Sequence, residues 1–380
     1  MRDAVIVDAV RTPVGKRNGG LSGVHPVDLS AHVLTSLVSR TGLDPALVDD
    51  VVWGVVAQAG EQTWDLARNA VLAAGLPEEV TGVTVDRQCG SSQQSVHFAA
   101  AGLIAGHYDV VVAGGVESMS RVPMGSSAQG KDPLGPLYAA RVGTTPNQIV
   151  GAEMVARKWG ISRTAADEFS VSSHERAAAA WAEGRFDSQV APVTLADGSV
   201  VARDEGMRDS TVEGLAGLKT VLDSDNSIVT AGNSSQMSDG AAGLLMMTSA
   251  KAASLGLSPI ARVHTAVLAG ADPVLMLTAP IPATAKALRK SGLSLAEIGA
   301  FEVNEAFAPV PMAWLAEFPL DDTMLNPLGG AIAIGHPLGG SGARIMTTLI
   351  HHMRDNGIRY GLQTMCEGGG QANATILELI

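Results

Sequence analysis

Two stretches near opposite ends of the chain repeat one order of parts, and that repetition limits the folds open to it. In the first, Cys89-Gly90-Ser91-Ser92 opens a helix expected over 91–104 and stopped near Gly106. A continuous apolar strand at 110–113 and the pair Gly114-Gly115 follow. In the second, Gly335-His336-Pro337-Leu338-Gly339-Gly340-Ser341-Gly342 opens a helix. A strand follows at 361–365, and Cys366-Glu367-Gly368-Gly369-Gly370 closes the unit. Two such units suggest an internal duplication, with two similar α/β halves facing one another. Chance recurrence of common α/β punctuation is the competing explanation. A site between facing halves would draw groups from both ends of the chain.

Elsewhere, strands are expected at 4–7, 50–56, 80–85 and 301–303, and helices at 26–40, 66–74 and 283–289. The helix at 26–40 presents Leu29, Val33 and Leu37 on one face, and Gly42 follows its end. The stretch 120–237 has a different texture. It is rich in loops, with helices near 148–158, 164–184 and 211–218.

The chain has 380 residues, which favours two or three domains. Aromatic residues make up only 4%, so the core must be built from Ala, Val, Leu, Ile and Met. A net charge of −12 excludes a basic nucleic-acid footprint. An anionic ligand would have to meet local Arg, Lys and helix N-termini. The two cysteines lie too far apart for paired zinc ligands, and nothing marks a secreted disulfide framework. Met1-Arg2-Asp3-Ala4-Val5 runs straight into a strand, so no targeting segment is expected. Residues 323–343 lack formal charge, but glycine pairs, two prolines and an asparagine exclude a membrane span there. A soluble, cytoplasmic protein is expected.

Cys89 sits at a strand-to-helix junction. Unpaired N–H groups and the helix dipole favour an anion there, so its thiol pKa is expected to fall. Gly90 lets backbone or substrate come close. A lone buried cysteine more often only packs. Here two cysteines and one histidine, each in a glycine-rich turn, make a set suited to thiol activation, proton transfer and oxyanion binding.

The set resembles the thiolase family (acetyl-CoA C-acyltransferases). The residues that carry the likeness run in the family's order along nearly the whole chain. They are Asp8-Ala9-Val10-Arg11-Thr12-Pro13-Val14-Gly15, Cys89-Gly90-Ser91-Ser92, Gly114-Gly115-Val116-Glu117-Ser118-Met119-Ser120 and Asn304-Glu305-Ala306-Phe307. Gly329-Gly330-Ala331-Ile332-Ala333-Ile334-Gly335-His336-Pro337 and Cys366-Glu367-Gly368-Gly369-Gly370 complete them. Stretches 304–315 and 362–373 most resemble actinobacterial thiolases of steroid-ring and fatty-acid breakdown.

The resemblance implies the thiolase fold: two duplicated α/β halves in five layers, α-β-α-β-α, with an inserted loop domain. The N-terminal half would be 1–118 plus about 238–256, the CoA-binding loop domain 119–237, and the C-terminal half 257–380. It also implies roles. Cys89 is the nucleophile, His336 the base that makes its thiolate, and Cys366 the acid/base at C2 of acetyl-CoA. His336 and a water held by Asn304 form one oxyanion site; the backbone N–H groups of Cys89 and Gly368 form the other. Arg208, Ala231, Ser235, Ala306 and Phe307 would hold CoA, and Arg141, Val142 and Met276 would line the acyl pocket. Coenzyme A enters as substrate, with no metal and no tightly bound cofactor, and the family assembles as homodimers or homotetramers. Taken alone, Asn304 would be a strand-end turn residue, His336 a surface or capping residue, and Arg208 and Ser235 loop residues meeting water.

Two departures stand out. Gln371-Ala372 replaces a frequent Met-Gly after the last glycine triplet, and Arg141-Val142 replaces the His-Met of many small-substrate thiolases. An arginine in the acyl pocket would pair with a carboxylate on the acyl chain; otherwise Arg141 points to solvent. The activity implied is thiolytic cleavage of a 3-ketoacyl-CoA. The alternatives are biosynthetic acetyl-CoA acetyltransferase and a non-catalytic thiolase-like CoA or lipid carrier. A low-pKa Cys89, quickly alkylated by iodoacetamide, would set an enzyme apart from a carrier.

Overall fold

The two repeated units occupy equivalent places in one mixed sheet. The computed structural model describes residues 2–224 and 226–380; Met1, the start of the stretch read for a targeting segment, lies outside them. Val110–Ser118 and Tyr360–Glu367 are the strands that follow the repeated helices Ser91–Ala105 and Ser341–Asn356. Each strand has a parallel neighbour on one side, Asp50–Gly54 and Ala300–Val303 respectively. Each has an antiparallel neighbour on the other, Ser238–Met247 and Gln371–Leu379. Val5–Arg11 and Ala261–Gly270 complete the two halves and join them, with Val5 opposite Arg262 and Ile6 opposite Ala261. The correspondence breaks at one place. Thr81–Val85 extends the first half in parallel with Asp50–Gly54, whereas the second half has a single parallel bridge between Phe301 and Leu325.

Side-chain alternation along the strands builds the layers. Val110 and Val112 face outward, against Leu29, Val33 and Leu37 of Pro26–Thr41. Val111 and Ala113 face inward, against Val96 and Leu103 of the first repeated helix and Met346 and Leu349 of the second. The far side of that middle layer meets Ala300 and Leu377 of the second half. Beyond them, Ala283, Ala287 and Trp314 of the outer helices Pro280–Ser291 and Pro309–Glu317 cover Phe301, Leu362 and Ile376. The result is the five-layered α-β-α-β-α arrangement that the resemblance implies.

The strand expected to stop at Gly114-Gly115 runs on to Ser118. These glycines mark close approach rather than a break. A Cβ on Gly114 would lie 2.4 Å from Trp53 Cζ3, and one on Gly115 would lie 2.3 Å from the Gly339 carbonyl. The turn that carries His336 can therefore rest on this strand. At Gly342 a Cβ would stand 2.3 Å from Gln93 N, so the two middle helices cross there nearly backbone to backbone. Ser92 Oγ accepts Ala343 N at 2.9 Å across the same crossing. The strand expected at 361–365 also runs further, to Glu367. It places Cys366 and Glu367 opposite Ala372 and Gln371 on the last rungs of a hairpin.

Residues 119–237 leave the sheet between two strands that pair with each other, Ser118 opposite Asp239. A fully buried ion pair pins this excursion to the first strand. Arg11 Nη1 meets Asp204 Oδ1 at 2.7 Å, and Asp204 also accepts Val14 N and Trp181 Nε1. No helix among the described residues is long and apolar enough to cross a membrane.

The close approach at Gly115 is testable. Gly115→Ala would force one backbone against another and is expected to cost about 1–3 kcal/mol of stability, read as a lower denaturant midpoint. Gly23→Ala is the control, since an added Cβ there meets nothing within 4 Å. It should stay within about 0.5 kcal/mol of the parent.

Candidate active site

The Cys89 turn is tight. Gln88 holds φ at +49°, a left-handed conformation that costs a side-chain-bearing residue about 1–3 kcal/mol unless its surroundings hold it. Here they do. Ser91 Oγ donates to the Gln88 carbonyl at 2.6 Å and accepts Arg87 N at 2.9 Å, while Gln88 N donates to Asp86 Oδ1 at 2.7 Å. Cys89 is left half-buried on a cavity wall at the start of the first middle helix.

His336 enters from the second half. Its N–H lies 3.1 Å from Ser238 Oγ and 3.2 Å from the Gln236 carbonyl. Its ring Nδ1 lies 2.6 Å from Ser341 Oγ, which in turn lies 2.8 Å from the Pro337 carbonyl. Two oxygens at that distance need a proton between them, and the hydroxyl has only one. Ser341 therefore donates to Pro337 and accepts from Nδ1–H, which leaves Nε2 as the unprotonated ring nitrogen. Asn304 Nδ2 approaches that nitrogen at 3.4 Å. Burial, with the charge of Arg344 behind it, lowers the His336 pKa to about 3, so the ring is a neutral base.

Two buried carboxylates hold the turns in place. Glu305 accepts Ser173 Oγ at 2.7 Å, Asn326 Nδ2 at 2.9 Å and Ile332 N at 3.1 Å. It ties the Asn304 turn to the Gly330 turn, where a Cβ would stand 2.2 Å from its Cδ. Glu117 accepts Val56 N, Ala57 N, Gln62 Nε2 and Gly339 N, all within 2.6–3.1 Å. Sequence reasoning assigned neither carboxylate nor Ser341 a task. The signal was present: Glu117 and Ser341 stand among glycines and Glu305 in an otherwise apolar strand-end turn, where a charged or hydroxyl side chain has little room to reach water.

The expected low pKa of Cys89 is overturned. Burial pushes the thiol up to about 12, and the Glu367 carboxyl adds to the rise. Cys366 is buried and pushed well above the usual thiol range, by burial first, then by Cys89 and Glu367. One helix N-terminus does not outweigh desolvation plus nearby like charge. Both thiols are free, and burial favours their protonated form.

Cys89, His336, Cys366 and Gly368 line one cavity of about 890 Å³. Asn304 stands behind His336, buried, its Oδ1 without a partner among the described residues. Of the residues expected at CoA, Ala231, Ser235, Ala306 and Phe307 line the same cavity, and so does Met276. Ala231 and Gln236 continue into an adjoining trough that ends at Arg208. A second cavity, about 760 Å³, opens from Cys89 and Gly368 toward Val56, Ala57 and Val122. Arg141 and Val142 line neither cavity, contrary to the expectation for the acyl pocket. They close a short helix, Gly135–Val142, none of whose residues is buried, and Arg141 is exposed. The sequence pattern showed no such helix.

A two-half α/β fold with two free thiols and a neutral imidazole on one cavity is the layout of a thiol-based acyltransferase. Family models for the thiolase N-terminal domain and the thiolase C-terminal domain match residues 4–250 and 257–379. The chain belongs to the thiolase family. It is 48% identical to a steroid 3-ketoacyl-CoA thiolase, FadA6, of Mycobacterium tuberculosis, over all of this chain and 94% of that one. It is 44% identical to a 3-ketoacyl-CoA thiolase of Pseudoalteromonas translucida over the whole of both chains. The crystal structure of a Bacillus anthracis acetyl-CoA acetyltransferase superposes with a TM-score of 0.92 at 37% identity, covering 100% of this chain and 99% of that one.

Ser341→Ala should leave His336 in place but free its tautomer. A positioned general base contributes about 10²–10⁴-fold, and a loss of about tenfold to a hundredfold in kcat is expected, with little change in KM. Nitrogen-15 NMR of the labelled imidazole should report Nδ1–H in the parent and a tautomer mixture in the variant.

Proposed function

We propose that the protein is a 3-ketoacyl-CoA thiolase that cleaves its substrate to acetyl-CoA and an acyl-CoA shortened by two carbons. The observation that carries this reading is the shared cavity. It brings two thiols and an imidazole with an unprotonated Nε2 together beside a trough lined by Arg208. The names of the relatives point the same way.

The chemistry follows from the groups in place. Cys89 Sγ gives its proton to His336 Nε2 and attacks C3 of the 3-ketoacyl-CoA. The new oxyanion is stabilised by His336 and a water on Asn304, or by the N–H groups of Cys89 and Gly368. The C2–C3 bond breaks, its electrons pass into the acetyl-CoA enolate, and the Cys366 thiol protonates C2. Acetyl-CoA leaves. A second CoA gives its thiol proton to the Cys366 thiolate and attacks acyl-Cys89. The released Cys89 thiolate recovers its proton from His336. Because both thiols rest protonated, nucleophile formation is coupled to attack rather than stored in the free protein. CoA acts as substrate along Ser235, Ala306, Phe307 and Arg208.

The second cavity beside Cys89 supports an acyl group larger than acetyl, and the FadA6 likeness supports a bulky, ring-bearing one. The reading includes assembly of two or four copies. Thr81–Val85 has no strand on its outer side among the described residues, and Val83 upon it is 44% exposed.

Thiolysis is measured by loss of the 3-ketoacyl-CoA enolate on adding CoA, for acetoacetyl-CoA, a medium-chain substrate and a bulky ring-bearing one. Preference for the larger substrates, abolished in Cys89→Ser, is the expected result. Preference for acetoacetyl-CoA would instead support an acetyl-CoA acetyltransferase. No turnover with CoA still bound would support a carrier.

A further inference from the structure

One carboxyl on the cavity wall has no part in the steps above. Glu367 ends the strand that carries Cys366 and is 1% exposed. Its Oε1 accepts Asn373 N at 3.0 Å, and its Oε2 has no partner among the described residues. The same side chain fills the space in front of Gly90, where a Cβ would stand 2.0 Å from Oε1. The carboxyl thus presses on the backbone next to Cys89 while following Cys366 along its strand. All three groups line one cavity.

Among the described residues no cation is in contact with it. Arg87 is the positive group whose charge reaches Glu367, yet its Nη1 donates to Gln371 Oε1 at 2.8 Å and it forms no ion pair with Glu367. Asp86 and Glu117 add negative charge toward Cys89, and His336 is neutral. A second feature points to a proton here. Asn373 Oδ1 is a buried acceptor with no donor among the described residues, and it lies 3.0 Å from the same point in front of Gly90. An ionised carboxyl brings only more acceptors to this corner; a protonated one brings a donor.

We propose that Glu367 is a positioning residue that limits this wall to a single negative charge, remaining protonated whenever Cys89 or Cys366 is a thiolate. The proposal rests on reading those two cysteines as the reacting thiols. Repulsion between like charges is strong where water is scarce. When the Cys89 proton passes to His336 Nε2, Glu367 keeps its own. When Glu367 instead loses its proton to solvent at alkaline pH, both thiols hold theirs more tightly and fewer thiolates form. Burial, opposed in part by Arg87, brings this loss to about pH 8. Below that value the carboxyl is neutral and does not oppose a thiolate; above it the carboxylate does.

Glu367→Gln keeps the shape and an acceptor for Asn373 N but cannot ionise. Iodoacetamide alkylation of the free protein is followed across pH for parent and variant. The two rates should coincide well below pH 8. Above it the variant should react faster, by about tenfold for each unit by which the thiol pKa falls. Glu367→Met, neutral and without the hydrogen bond, should show the same divergence and serves if Gln disturbs the hairpin. In the pH profile of kcat/KM, each scaled to its own maximum, the parent should decline above about pH 8 and Glu367→Gln should not. Alkylation curves that superimpose at every pH overturn the proposal even if thiolysis is robust. Curves that diverge in a protein without turnover uphold it while removing the thiolase reading.

Discussion

The molecule depends on a close approach of backbone between its two halves. Gly115 lies under the Gly339 carbonyl, Gly342 lies against Gln93 N, and Glu117 accepts Gly339 N. These contacts set the His336 turn on the first half and the Cys89 turn beside the second. Side chains larger than hydrogen at those glycines would hold the halves apart, and the groups that share one cavity would separate. The glycines thus act as spacers of zero thickness, while the packed leucines, valines and methionines of the middle layer supply the apolar burial that drives the halves together.

That same packing decides the electrostatics of the site. Enclosing Cys366, His336 and Glu367 between the halves, with Cys89 half-buried beside them, strips most of the water from the four groups. Desolvation favours the neutral form of each, which lowers the proton affinity of His336 and raises that of Cys89, Cys366 and Glu367. The resting site is therefore uncharged at its centre. Fixed dipoles, namely Nδ1–H held by Ser341, the Asn304 amide and the N–H groups of the turns, are left to meet charge only as it develops on a substrate.

Much of the architecture was legible in the residues. The recurrence of glycine turn, helix and strand marked the duplication. Apolar runs marked the strands, and the helix over Pro26–Thr41 ends at Gly42 as its pattern implied. Other features were misread for a physical reason. Gly114-Gly115 looked like a strand end because a glycine pair serves equally as a break or as a close-contact point, and only the partner across the contact distinguishes the two. The helix Gly135–Val142 was not visible at all, so Arg141 was placed in an acyl pocket, whereas it is exposed and lines neither described cavity.

The sequence by itself determined the repeated turn–helix–strand units and the candidate reactive groups set in their turns, because turn chemistry and side-chain periodicity are local properties. Only the tertiary structure decided which protons those groups hold and which residues surround them. Glu367 is adjacent to Cys366 in sequence, but its distance from Cys89 and its isolation from Arg87 are set by chain segments nearly three hundred residues apart. Burial and like-charge proximity arise from such remote pairings, and no local pattern encodes them.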